Sequence, residues 1–572
     1  MGSKMRKTTK LAAALAVCAA MGTTLATVQA QYLDPAEILH PKPDTWPTYS
    51  GDYTGQRFSL LTEIDTSNVH NLTLMWAQKV TGGVGGGPGG GGGGGFGAVA
   101  EPRTIVDGIG TQVAPMGRIV GTMISKDGVM FVTTPDNAWA LDVRDGHEIW
   151  HFLWKTRGGT HIGNRGVALW HDRVYFETPD DLLICLDAKT GKEIWHKEIA
   201  SFDLQYFSTM APMIIGDHLI VGTGNDLDEP GLLQSFNPNT GDVEWKWYAT
   251  PQKAGDPGLD TWKDLDAAQH GGGNVWTAGS YDPDTHLYIF GTANPTAAYT
   301  SQARGPGSNL YTCSLVALNV DTGKMAWYYQ TSPHDTHDFD SAQTPVLVDG
   351  TFNGKPRKMA LQGARNGYFF VLDRLTGEHL LTSKLVDSPN WASPNLDKNG
   401  APKRIPAKDY DVGGALVSPA NGGIVNWPPP AFSPQTNLFY VHAQESYAMY
   451  YLATTDPRGA MGLGGKDELS VGSLGAYLLA IDYKTGKPAW KIRYPGTGGT
   501  QGGLPGLLTT AGHLLFASDA RGNFVAHDSA NGKALWHSRI SATSAAETFQ
   551  VDGHQWVFVA AGDTVYAYGL QK

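Results

Sequence analysis

Residues 333–340 read Pro-His-Asp-Thr-His-Asp-Phe-Asp, which puts three carboxylates and two imidazoles into eight positions. In an extended backbone, residues two apart point the same way. Asp338 and Asp340 would then share one side, with Phe339 turned away. Two carboxylates on one side repel unless a cation or a shared proton holds them. The chemistry open to such a pair is a hard metal, general acid–base work, or both. Taken alone, the segment also reads as a solvated acidic loop. His334 and His337 form His-x-x-His with neither a helix nor a third ligand nearby, which is too little for a transition-metal site. They read as structural or supporting residues, and Asp335 as a loop cap.

The segment follows a Trp-containing strand, so it belongs on a loop at a strand end, and that strand is one of a series. Ala140-Leu141-Asp142 leads through Asp145-Gly146 to Trp150, and Cys185-Leu186-Asp187 through Thr190-Gly191 to Trp195. The phrase returns ending in Trp245, Trp327, Trp490 and Trp536, and once more at Val371-Leu372-Asp373, where Thr376-Gly377 is followed by Leu381 rather than Trp. Each copy describes a hairpin: Asp or Asn caps the turn, Gly takes positive φ, and the next strand begins. Upstream of most copies lies another strand pair, as in Gly128–Val132 and His513–Ala517. Four strands per unit, repeated at this period, specify an all-β propeller whose Trp residues pack between neighbouring sheets. Seven copies are visible. An eighth blade is expected from Leu72–Trp76 near the start pairing with the strands around Trp556–Val559 and Thr564–Ala567 at the end. The expected architecture is one eight-bladed β-propeller over residues 31–572, closed by joining its termini. Long insertions between Trp245 and Ala317, and between Thr382 and Ala480, are places for function.

Composition supports this reading. Hydrophobic residues at 41% and charged residues at 17% argue for a large core and against disorder. Seventy-two Gly and seventeen Trp suit Gly-turned, Trp-packed sheets. The net charge of −11 gives no electrostatic footprint for nucleic acid and would suit a basic partner protein. Residues 1–30 read as a secretory signal: a basic start, an apolar run from Leu11 to Met21, and a small-residue exit with cleavage expected after Ala30. The run is shorter than the ~20 residues that span a bilayer, and no later segment reads as a membrane span. Met1–Lys4 reads as added sequence ahead of Met5. The Gly-rich stretch 82–97 is expected to be flexible. There is no Cys-x-x-Cys and no Cys-x-x-Cys-His, hence no zinc ribbon and no covalent haem. Cys185 reads as a small core residue, with a Cys185–Cys313 disulfide disfavoured.

The Ala-x-Asp-x-x-Thr-Gly-x-x-x-Trp repeats resemble those of quinoproteins, secreted dehydrogenases that hold pyrroloquinoline quinone (PQQ) in an eight-bladed propeller. The similarity runs from about Trp46 to the C-terminus and includes site motifs. Gly291-Thr292-Ala293-Asn294-Pro295 resembles the strand end whose Asn ligates the metal. In 333–340, Asp338 matches the catalytic carboxylate, and Asp340 the additional acid of lanthanide-using members. Asp226, in Thr223-Gly224-Asn225-Asp226, stands where the family places a metal-binding Glu, with Asp228 as the fallback. Arg365 matches the cation near the quinone oxygens. Arg165 and Thr209 match contacts to the cofactor carboxylates, Trp276 the indole floor beneath the ring, and Asn426 an amide contact. The resemblance implies PQQ with Ca²⁺ or a lanthanide(III) ion, the metal bound by Asp226, Asn294, Asp338 and Asp340. Asp338 would take the alcohol proton as hydride moves to PQQ, and Arg365 would assist. With no haem of its own, the chain would pass electrons to a separate cytochrome c or similar carrier, in the periplasm.

Departures accompany the likeness. The family's alcohol dehydrogenases commonly carry an adjacent Cys-Cys ring over PQQ. Here Gly159-Thr160-His161 takes that place, making Thr160 and His161 candidate cofactor contacts. Val120 stands near the position of a missing early acid, and the family's Trp-containing extension after the last blade has no counterpart. A rebuilt, more open roof implies a bulky or secondary alcohol, of the kind that includes polycyclic toxins. A sugar or polymer-alcohol quinoprotein, and a non-catalytic propeller scaffold, are the alternatives. The scaffold predicts no cluster of acids at one mouth of the ring.

Overall fold

The computed structural model describes residues 32–80, 104–113, 117–409, 413–452, 466–494 and 503–571. The expected signal at 1–30, with its extra residues at Met1–Lys4, and the Gly-rich run 82–97 lie outside them. The described residues form eight sheets of four antiparallel strands, with short additions. Blade 1 comprises Ile124–Lys126, Val129–Thr134, Asn137–Asp142 and Glu148–Trp154. Blades 2, 3, 4 and 5 follow in sequence, ending in the outer strands Glu193–Glu198, Val243–Tyr248, Met325–Gln330 and His379–Lys384. Blade 6 contains the long hairpin Leu438–Leu452 and Lys466–Asp482, and blade 7 ends at Ala534–Ser538. Blade 8 joins Glu547–Val551, His554–Ala561 and Thr564–Leu570 to Leu72–Lys79, from the other end of the chain. The termini therefore close the ring as the repeat count required.

The repeat chemistry is visible in every turn. In blade 2, Asp187 Oδ1 accepts from Thr190 N at 2.7 Å, Gly191 N–H donates to Asp187 O at 2.8 Å, and Gly191 sits at φ +68°. The outer strand then carries Trp195 opposite Cys185. The indoles dock each blade on the next. Trp76 Nε1 donates to Val143 O at 2.9 Å, Trp150 to Ala188 O at 2.9 Å, Trp195 to Asn239 O at 3.2 Å and Trp245 to Val320 O at 2.7 Å. Trp327 donates to Arg374 O at 3.0 Å, Trp490 to Ser529 O at 3.1 Å and Trp536 to Leu72 O at 3.1 Å. Blade 5, whose repeat has Leu381 instead, docks through Ser383, whose hydroxyl donates to Gly486 O of blade 6 at 2.9 Å, with Leu381 beside it. The contacts run blade to blade round the ring and return to Leu72.

A buried cation ties the N-terminal segment to the closing blades. Arg57 donates to Tyr49 O at 2.7 Å, Leu507 O at 2.9 Å and Ala546 O at 2.7 Å, and lies 3.4 Å from Glu547 Oε1. Cys185 and Cys313 are both buried free thiols. Among the described residues, no helix is long and apolar enough to cross a membrane.

Candidate active site

The blade connections that carry the two insertions and the acidic segment meet at one end of the ring. There they line a cavity of about 550 Å³, in the size range of small-molecule sites. Arg165, Thr209, Asp226, Trp276, Asn294, Asp338, Asp340, Arg365, Asn426 and His161 all line it. Thr160 does not: its side chain is exposed and absent from the cavity wall, against the expectation of a contact there. His161 and Ile162, the next two residues, do line it. Asp228, the fallback for Asp226, also stays outside.

The acidic segment is not a solvated loop. Asp335, His337 and Asp340 are buried. Asp338 adopts φ +66°, a left-handed residue, so the extended alternation expected for 338 and 340 is absent. The two carboxylates converge through this turn, which Asp335 stabilises by accepting from Asp338 N at 2.9 Å and Phe339 N at 3.1 Å. Arg365 joins them: Nη2 donates to Asp338 Oδ2 at 3.0 Å and Nη1 to Asp340 Oδ2 at 2.6 Å. Asp340 also accepts from Trp276 Nε1 at 3.1 Å and from Asn294 N at 2.7 Å. His337 stacks on Phe339 and meets Lys408 O at 2.9 Å, while His334 meets Gly307 O at 2.7 Å. Both imidazoles are thus turned to backbone carbonyls.

Burial raises the Asp338 carboxyl well above the usual range, Arg365 opposing and Asp340, Asp335 and Asp226 reinforcing it. Asp340 is raised by burial, with Arg365 and the Asn294 N–H pulling it back. For Arg365, burial would lower proton affinity, but Asp338 and Asp340 outweigh it and the guanidinium is held charged. A buried carboxylate with raised proton affinity, steered by a fixed cation, is suited to accept a proton from a bound hydroxyl.

On the opposite wall, Asp226 Oδ2 lies 2.7 Å from His161 Nε2, and its Oδ1 accepts from Asn274 Nδ2 at 2.6 Å. That contact raises the His161 imidazole, against burial. The His161 ring packs on Phe207 at 4.5 Å. Arg165 lies between two indoles, its Cζ 4.6 Å from the Trp276 ring centre and 4.7 Å from that of Trp427. Its Nη1 donates to Thr209 O at 2.8 Å and Thr209 Oγ1 at 2.5 Å. Burial lowers the Arg165 guanidinium to about 10. The Asn426 amide is turned to its own segment, donating to Gly422 O at 2.9 Å and accepting from Trp427 N at 2.8 Å.

The donor chemistry fits a hard cation: Asp226, Asn294, Asp338 and Asp340 offer oxygens to one cavity. Among the described residues, no three acidic, His or Cys side chains stand ready-made round one point. The acids are held by His161, Asn274 and Arg365 instead. The flat indole faces and the two guanidiniums suit a planar polyanion.

Comparison with known proteins agrees. A family model described as the glucose/ethanol/alcohol dehydrogenase β-propeller domain matches residues 46–395, and one described as the outer membrane protein assembly factor BamB matches 450–572. The quinoprotein alcohol dehydrogenase PedH of Pseudomonas putida is 32% identical over 89% of this chain and 84% of its own.

The chain belongs to the PQQ-dependent alcohol dehydrogenases.

It is an oxidoreductase acting on CH–OH groups, with PQQ and a metal ion as cofactors. The structure of the quinohemoprotein alcohol dehydrogenase of Comamonas testosteroni superposes with a TM-score of 0.80 at 29% identity, covering 95% of this chain and 83% of that one. A europium-containing methanol dehydrogenase superposes at 0.77 and 25% identity, covering 93% and 99%. Ile162, Phe207, Asn274 and Trp427 line the cavity of this PQQ dehydrogenase without having been singled out in sequence. One signal was available: Trp427, like Trp276, stands outside the blade-docking register.

Proposed function

We propose that this PQQ dehydrogenase oxidises a bulky or secondary alcohol to the corresponding carbonyl compound in the periplasm, and that a separate cytochrome c-type carrier takes the electrons. The observation that carries the substrate class is the roof. No adjacent Cys pair exists in the sequence, and the cavity is bounded there by His161, Ile162 and Phe207. His161 is only half-buried, so the mouth of the cavity reaches solvent beside it. PQQ, when bound with its cation, supplies the hydride acceptor and the Lewis acid. Asp338 is the base, set facing the cavity by the turn at Asp335 and by Arg365. Arg365 keeps Asp338 oriented and balances its charge. Arg165 and Thr209 take anionic groups of the cofactor, and Trp276, with Arg165 over one face, offers its other face to the flat ring. Asp226, Asn294, Asp338 and Asp340 are the residues that would hold the cation. The second acid at Asp340 favours a trivalent lanthanide over Ca²⁺ by added negative charge.

The test is reconstitution of apoprotein with PQQ and either Ca²⁺ or a light lanthanide, followed by dye-linked oxidation of primary, secondary and polycyclic alcohols. We expect turnover with one or both metals, favouring bulky or secondary alcohols, and a loss of about 10²–10⁴-fold in Asp338→Asn with folding intact. Inactivity with both metals removes the assignment of the cation and the base. Preference for methanol removes the open-roof argument.

A further inference from the structure

Behind the cavity face of Asp338, four residues from four different connections close a hydrogen-bonded cycle, of which Asp338 and Arg365 also line the cavity. Arg365 Nη2 donates to Asp338 Oδ2 at 3.0 Å and also to the backbone oxygen of Asn421. Arg365 Nε donates to the same Asn421 oxygen at 3.2 Å. Asn421 Nδ2 donates to the Tyr299 hydroxyl at 3.2 Å, and that hydroxyl donates back to Asp338 Oδ2 at 3.5 Å. Tyr299 is buried, its ring packed against Tyr450 at 6.3 Å. It does not line the cavity. Neither Tyr299 nor Asn421 belongs to a blade repeat; each comes from one of the two long insertions.

The geometry has a physical consequence. A carboxylate held by one guanidinium can still rotate about its Cβ–Cγ bond. A second donor on the same oxygen, arriving from another direction and itself anchored, fixes the remaining oxygen toward the cavity. The backbone of Asp338 is left-handed, a conformation Asp adopts more readily than most residues, and it is held by the Asp335 turn, which leaves the orientation of the carboxylate to Arg365 and Tyr299. Gly423 adds a constraint from the same connection: a Cβ there would come within 2.7 Å of Arg365 Cα.

We infer that Tyr299, anchored by Asn421, is a positioning residue for alcohol oxidation, fixing the orientation of the Asp338 carboxylate without touching substrate or cofactor. This rests on the base role proposed for Asp338. A base out of alignment lowers the rate of the chemical step while leaving binding intact, and a displacement of 1 Å can cost about a hundredfold. A single hydroxyl removed from a cycle whose other members remain should cost less.

The experiment uses the reconstituted holoenzyme. In Tyr299→Phe we expect kcat to fall about tenfold, with KM for the alcohol and the affinity of apoprotein for PQQ, read by fluorescence titration, changed less than twofold. Asn421→Ala removes the amide that anchors the hydroxyl but keeps the carbonyl that receives Arg365. It should reproduce the kcat loss, and the double variant should lose little more, because both act through one contact. Asn421→Ala also supplies the answer if Tyr299→Phe does not fold. Unchanged kcat in a folded Tyr299→Phe, a loss confined to PQQ affinity, or fully additive losses would each overturn the inference. Normal kcat in Asp338→Asn would instead overturn the base assignment beneath it.

Discussion

At the scale of single residues, the cavity is a set of charges satisfied by one another. Asp338 and Asp340 share Arg365, Asp226 is matched by His161, and Arg165 fills the space between Trp276 and Trp427. Asp340 is the most heavily committed, with Arg365, Trp276 Nε1 and Asn294 N all directed at its carboxylate. It therefore orders the Asn294 strand end and the indole as well as adding negative charge. Asp340→Ala is expected to weaken binding of a trivalent lanthanide by about tenfold or more, and of Ca²⁺ by less, because the added charge matters most to the more highly charged ion. Terbium luminescence and calcium titration of the apoprotein measure this without turnover. Equal losses for both ions would reduce Asp340 to a structural role.

At the scale of elements, six of the blade junctions combine a hydrogen bond from an indole with the close approach of a glycine. Gly191 illustrates why the two residue types recur together. It has φ +68°, and a Cβ would lie 2.6 Å from the Trp150 ring. Gly191→Ala then adds a left-handed strain to a clash with a buried ring, at about 1–3 kcal/mol each. Gly216 has nearly the same φ, +57°, with nothing within 4 Å of the added Cβ, so Gly216→Ala carries the strain alone. Thermal unfolding should show a clearly larger drop for Gly191→Ala; equal drops would mean that the turn, and not the indole contact, sets the requirement for glycine.

At the scale of the whole molecule, closure depends on the N-terminal segment being held against blades 7 and 8. Arg57 performs this from a fully buried position, where burial works against the charge of its acidic partner. Burial pushes Glu547 up to about 8, and Arg57, 3.4 Å away, offsets this only in part. A carboxyl whose pKa rises on folding binds its proton more tightly in the folded state. Its contribution to stability is therefore complete below its unfolded value of 4.5 and is lost as pH rises through about 8. The expected outcome is a fall in thermal midpoint from this group between about pH 5 and about pH 9, worth at most a few kcal/mol. Glu547→Gln keeps the shape without the charge and should flatten that portion of the profile; an unchanged slope would place the pH dependence elsewhere.

The amino-acid sequence by itself determined the propeller. Its repeats are local: Asp, Gly and Trp within one hairpin carry the turn, the close approach and the docking donor, so eight blades and their closure could be counted. Even the irregular copy, with Leu381, was legible and takes the same place in the ring. The residues singled out by resemblance, Arg165, Asp226, Trp276, Asn294 and Arg365, also line one cavity. Only the tertiary structure decided how the charges pair, that Asp338 turns left-handed instead of continuing an extended strand, that Thr160 faces out, and that Tyr299 and Asn421 meet behind the base. The reason is distance along the chain. Those contacts join connections from different blades, and their relative placement follows from the radius and closure of the whole ring, which no short window of residues encodes.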